Sequence, residues 1–121
     1  MSIPSRILSA GNSPLSTISI AGDAATGLVA VGSTQATALQ LSAVYNAITT
    51  SSASTGVILP PTEAGASVVV YNASGQTISI YPPVSSQINA VAVNGAYTVA
   101  TAKTVILFAV SATQWVTILT A

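Results

Sequence analysis

The sequence predicts an all-β domain, an antiparallel β-sandwich or jelly-roll-like fold built from short strands. Short runs rich in Val, Ile, Thr and Tyr are punctuated by Gly, Asn, Ser and Pro. The turn signals recur at roughly 8 to 12 residues, the rhythm of sandwiches and barrels. Opposite the apolar set stand mostly Ser, Thr and Ala, with Lys and Glu nearly absent. A chain of 121 residues has the length of one domain with one core.

Residues 1–14 contain Pro4, Gly11 and Pro14 among small polar residues and read as an extended N-terminal arm. Ile3, Arg6, Ile7 and Leu8 are its candidate contacts with a neighbouring chain; the alternative is a strand docked on its own domain. Residues 15–121 form the single β domain. Its first strand alternates Ile18 and Ile20 with serines, and its second puts Leu28 and Ala30 on one face, Val29 and Val31 on the other. Thr34 to Ile48 partly fits both the helical and the strand period. It is read as irregular chain leading into a strand around Asn46 to Thr50, followed by a loop from Ser51 to Gly56.

Val57 to Leu59 is a short strand stopped by Pro60 and Pro61, which lack the N–H that a central ladder needs. Ser67–Tyr71 and Thr77–Tyr81 flank Asn72–Gly75, a combination that predicts a hairpin ended by Pro82 and Pro83. Gln87–Val93 alternates, and Asn94-Gly95 predicts a second hairpin leading into Ala96–Ala100. Thr104–Val110 and Gln114–Leu119, joined by Ser111–Thr113, form the last pair. No solenoid repeat is visible.

Charge is nearly missing: Arg6, Lys103, Asp23 and Glu63 are the only charged side chains, and there is no His and no Cys. Ordinary domains carry roughly 25% charged residues; this one has 3%, with a mean hydropathy of +0.73. Two cations cannot neutralise a nucleic acid backbone. A net charge of zero removes the repulsion that keeps molecules apart and favours self-association. The most apolar run, Val105 to Val110, is far short of the roughly 20 residues of a membrane helix, and Ser9, Gly11, Asn12 and Pro14 interrupt any leader core.

Catalysis would have to use Ser or Thr with Lys103, or Asp23 paired with Glu63. Each of these is more simply a solvated turn residue or an ion-pair member, so no enzyme, cofactor, metal or small-molecule substrate is expected. Two carboxylates are too few for a tight Ca²⁺ site, and neither GxGxxG nor GxxxxGK[ST] occurs. Asn72-Ala73-Ser74 matches a glycosylation sequon inside a tight turn and is read as chance. Trp115 reads as a core aromatic ahead of a sugar-stacking platform, and Tyr71 and Tyr81 carry the same two readings.

One string of turn and strand-end residues runs through the last two thirds of the chain. It consists of Gly56, Val57, Leu59 and Pro60; Ala64 and Gly65; Val68, Val70 and Asn72; Ile80, Tyr81 and Pro82; Ile88 and Asn89; and Phe108, Gln114 and Trp115. In this order it resembles small β-rich virion proteins of tailed bacteriophages. The resemblance implies a trimeric structural protein that decorates heads or builds fibres. The expectation is a non-enzymatic capsid decoration (cement) protein on the phage head surface, with its own copies and the major capsid protein as partners. Its alternative is a receptor- or glycan-binding head or tail fibre module. Ice binding through flat Thr-rich faces lacks the regular T-x-T ladder it would need.

Overall fold

In a computed structural model, described here for residues 24–120, the chain is all-β. Among the described residues ten strands form two sheets. The six-stranded sheet has the order β1-β3-β5-β9-β10-β7 and the four-stranded sheet the order β2-β4-β6-β8. The strands are β1 (Ala24–Val29), β2 (Leu39–Gln40), β3 (Tyr45–Thr50), β4 (Gly56–Ile58), β5 (Ser67–Asn72), β6 (Ile78–Tyr81), β7 (Gln87–Ile88), β8 (Tyr97–Val99), β9 (Thr104–Ala109) and β10 (Gln114–Leu119). The arm of residues 1–14, with Ile3, Arg6, Ile7 and Leu8, and the strand expected at Ile18–Ile20 lie outside the described residues.

The sheets are mixed, which corrects the antiparallel expectation. β1, β3 and β5 pair in parallel in one sheet, and β2, β4 and β6 pair in parallel in the other. The chain therefore crosses to the other sheet and back in each coil, a solenoid-like winding of three successive turns that the sequence reading did not see. The last four strands close this winding. β8 runs antiparallel on β6, β9 antiparallel on β5 and β10 antiparallel on β9, while β7 returns parallel to β10. The β9–β10 pair is the hairpin expected around Ser111–Thr113.

Two expected hairpins are corners instead. Asn72–Gly75 carries the chain from β5 in one sheet to β6 in the other, so these strands never pair. Asn94-Gly95 lies between β7 and β8, again in different sheets, and Asn94 adopts a positive φ (65°) there. The strand predicted over Gln87–Val93 stops after Ile88, where Asn89 turns left-handed at φ 51°. No helix forms over Thr34–Ile48. A turn at Thr34–Ala38, closed by bonds from the Thr37 and Ala38 N–H groups to the Thr34 carbonyl, leads to β2 and then β3, as the irregular reading required.

The core lies between the two sheets. Ile48, Val68, Val70, Val105, Leu107 and Trp115 from one sheet meet Val57, Ile78, Ile80 and Val99 from the other, all buried. Inward and outward residues alternate along β5 and β9 as the pleat dictates. Gly56 marks the tightest point. A Cβ there would stand 2.6 Å from the Ser79 carbonyl oxygen and 2.9 Å from Tyr81 Cε2, so the coil at β4 can approach β6 only through glycine.

Candidate assembly surface

Bridge partners on neighbouring strands point to the same face, so register shows which side chains lie together. Across five strands of the larger sheet one row reads Ala24, Tyr45, Val69, Ile106 and Ile118. Beside it run Ala47, Tyr71 and Thr104, and on the other side Ser67, Phe108 and Val116. These rows face away from the core, whose own rows include Asn46, Val70 and Val105. Tyr45 is 51% exposed and Ile118 60%, and Tyr71, Phe108 and Val116 are exposed as well.

No charged side chain falls in the three outer rows. Between β1, β3 and β5 they form a shallow groove of about 150 Å³ lined by Ala24, Thr26, Tyr45, Ala47, Val69 and Tyr71. The outer face of the smaller sheet differs: its rows are Gly56, Ser79 and Thr98, and Gln40, Ile58 and Tyr81. That face is narrower and mixes polar with apolar side chains. Chemically the larger face can do one thing well, which is to withdraw apolar area from water.

The residues that the sequence singled out are structural supports for these faces. Asn72 is fully buried at the β5–β6 corner. Its Nδ2 donates to the carbonyls of Gln76 (2.8 Å) and Val99 (3.0 Å), and its Oδ1 accepts from the Ser74 N–H (3.1 Å) and Ser74 Oγ (2.6 Å). Ser51 Oγ, from the preceding corner, donates to Ser74 Oγ at 2.7 Å, and Thr101 Oγ1 donates to the Ser74 carbonyl. A side chain so enclosed is no glycan acceptor, so the sequon match carries no modification.

Trp115 is likewise fully buried. Its indole N–H donates to Thr62 Oγ1 at 2.9 Å, and that hydroxyl lies 2.9 Å from Ser86 Oγ, leaving no ring face for a sugar. Asn89 stitches β7 to β10, donating from Nδ2 to Thr117 Oγ1 (2.8 Å) while its N–H bonds the Trp115 carbonyl (2.8 Å). Gly65 takes φ 91° and its N–H donates to the Ala109 carbonyl; Leu59 is core, its N–H bonded to the Tyr81 carbonyl. Tyr81 donates its hydroxyl to the Ser33 carbonyl, and Gln35 Nε2 donates to the Pro82 carbonyl at 2.6 Å. Pro60 follows β4 and lines an open groove with Ser42, Pro61 and Glu63.

Of the catalytic pairs considered from sequence, the Asp23–Glu63 pair falls on a residue outside the described ones. Arg6 and Asp23 lie outside the described residues; Lys103 sits in the β8–β9 turn, where its carbonyl accepts from the Asn72 N–H. Among the described residues no three His, Cys, Asp or Glu side chains cluster as a metal site would require. The outer rows were missed because Tyr45, Val69, Ile106 and Ile118 were read one strand at a time. The signal that would have found them is the unbroken apolar run in β5 and β9, the mark of strands covered on both faces. No family model, characterised protein or solved structure matches the chain.

Proposed function

We propose that this protein is a non-enzymatic structural component of a bacteriophage virion, a decoration (cement) protein. In this reading it trimerises on the head surface and stabilises the shell by binding across capsomers of the major capsid protein. The observation that carries the reading is the outer face of the six-stranded sheet: an apolar row five strands wide, flanked by two mostly apolar rows of three residues, without a charge. The family resemblance of the turn and strand-end residues supplies the viral setting.

Strands about 4.8 Å apart and six residues of about 3.3 Å give this face a projected area of roughly 500 Å². If about two thirds of that is apolar, covering it within the trimer releases roughly 8 kcal/mol per copy before association costs are deducted. Trimers repeated over an icosahedral shell then multiply modest contacts with capsomers through avidity. A protein that works this way needs no titratable site, only a rigid support for its surface, and the buried Asn72 and Trp115 clusters provide one.

The experiment is co-sedimentation of the purified protein with heads assembled from the major capsid protein of the same phage. Saturable binding at a fixed copy number per capsomer, with a rise in the melting temperature of the heads, is the expected result. A strict monomer that neither binds heads nor stabilises them defeats the reading. The fibre alternative now rests on Tyr45 and Tyr71 beside the shallow groove, since Trp115 is enclosed. A glycan array with a Tyr71→Ala control separates the two.

A further inference from the structure

We infer that the outer face of the six-stranded sheet is where copies of this chain pack against one another, Ile118 and Tyr45 lying in the central row of the contact. The inference rests on the reading of the chain as an assembly protein and names which surface makes the homo-oligomer and what covers it.

Four observations select this face and this occupant. First, β5 carries Val68, Val69, Val70 and Tyr71 in succession and β9 carries Val105 to Ala109, so both strands are apolar on the outside as well as the inside. A strand exposed to water on one face alternates; a continuous run marks cover on both. Second, the sheet edges are blunted. β1 is broken by register shifts around Gly27, which sits at φ 67°, while β2 and β7 are two residues long and β8 three. Bulged or very short edges resist strand addition, which favours contact through the faces.

Third, the face has no charge to offer a charged partner, and an uncharged apolar patch suits the charge-poor surface of another copy. Fourth, a contact that covers roughly 500 Å² on each of two copies buries about 1,000 Å² in total, the size at which specific interfaces begin. The second sheet, with Ser79, Thr98 and Gln40 in its outer rows, has neither the width nor the composition.

The test is sedimentation velocity of the full chain without heads, comparing wild type with Ile118→Lys, Val116→Thr and Val84→Lys. Ile118 and Val84 are comparably exposed (60% and 74%), but Val84 lies in the β6–β7 loop, away from the rows. Wild type should sediment as a single oligomer and Ile118→Lys as a monomer with unchanged Trp115 emission. Val84→Lys should keep the wild-type mass. Val116→Thr, nearly isosteric and safe for folding, should raise the dissociation constant about tenfold.

The oligomer should also survive added sodium chloride and tighten in sulfate, since no exposed ion pair holds it. A monomeric wild type, an Ile118→Lys or Val116→Thr protein that associates like wild type, equal dissociation by Val84→Lys, or dissociation by sodium chloride would each overturn the inference. Head binding is a separate readout: heads that bind a monomer would leave the decoration reading intact and remove this one, and an oligomer that ignores heads would do the reverse.

Discussion

Replacing Asn72 with Ala should cost this fold about 4 kcal/mol, more than any other single polar substitution in it. The side chain is fully buried and makes four hydrogen bonds, two through Nδ2 and two through Oδ1. Not all four losses count equally. Ser74 Oγ and the Gln76 carbonyl lie 3.1 Å apart and can still satisfy each other. One group, the Ser74 N–H, loses its partner outright; the Val99 carbonyl, opposite Ile78 in the β6–β8 ladder, loses its bond to the amide. A buried group left unpaired costs about 1 to 3 kcal/mol, and the void left by the amide adds to it.

Equilibrium urea unfolding followed by Trp115 emission measures the effect. The midpoint should fall while the slope stays constant, because the folded surface is unchanged. Ser74→Ala should cost less, about 1 kcal/mol, since Asn72 Oδ1 keeps the Ser74 N–H. The double variant should cost clearly less than the two together, as members of one network do. An Asn72→Ala protein within 1 kcal/mol of wild type would show that the corner does not depend on this side chain, and the account of the fold's closure would fail with it.

Gly56→Ala should destabilise by about 2 kcal/mol, because the new methyl meets the Ser79 backbone and not a side chain that can swing away. Gly75→Ala, at a corner glycine with open space around it and no positive φ, should be neutral or slightly stabilising; thermal melts of the two variants check the contrast. Trp115→Phe removes the bond to Thr62 and part of the core volume, so a loss of about 2 to 3 kcal/mol is expected by chemical denaturation followed by far-UV circular dichroism.

Strand positions were legible because β-branched runs ended by Pro or Asn locate them without regard to what they pair with. The β9–β10 hairpin was legible too, since two alternating runs with three residues between them have few other options. Connectivity was not. Asn72-Ala73-Ser74-Gly75 bends the chain whether it returns beside β5 or crosses to the other sheet, and the local residues are the same in both cases. What decides is pairing at a distance: Tyr45 with Val69, and Val57 with Ile80. A trace of that repeat exists in the sequence, where Ser52, Thr55, Ile58, Pro60 and Pro61 recur as Ser74, Thr77, Ile80, Pro82 and Pro83. The trace is faint because the coils differ in corner length. The candidate surface was hidden for the same reason, since its rows exist only once the register is known.

The missing charge and the abundant Ser, Thr and Asn are two consequences of one architecture. A chain that changes sheets at every coil spends many residues in corners, where backbone groups cannot join a ladder and must still be bonded. Short polar side chains do this at close range: Asn72 and Ser74 at one corner, Asn89 with Thr117 beside β10, Asn94 holding the Ser85 N–H at 2.7 Å, and Gln35 reaching Pro82 and Asn94. Lysine and glutamate cannot, because burying their charge costs far more than the bond returns. Among the described residues Asn46, Asn72, Ser74 and Ser86 are buried outright in this way. The outer rows of the larger sheet carry Tyr, Val, Ile and Phe with only Ala24, Ala47, Ser67 and Thr104 among them, a composition suited to the contact surface proposed above.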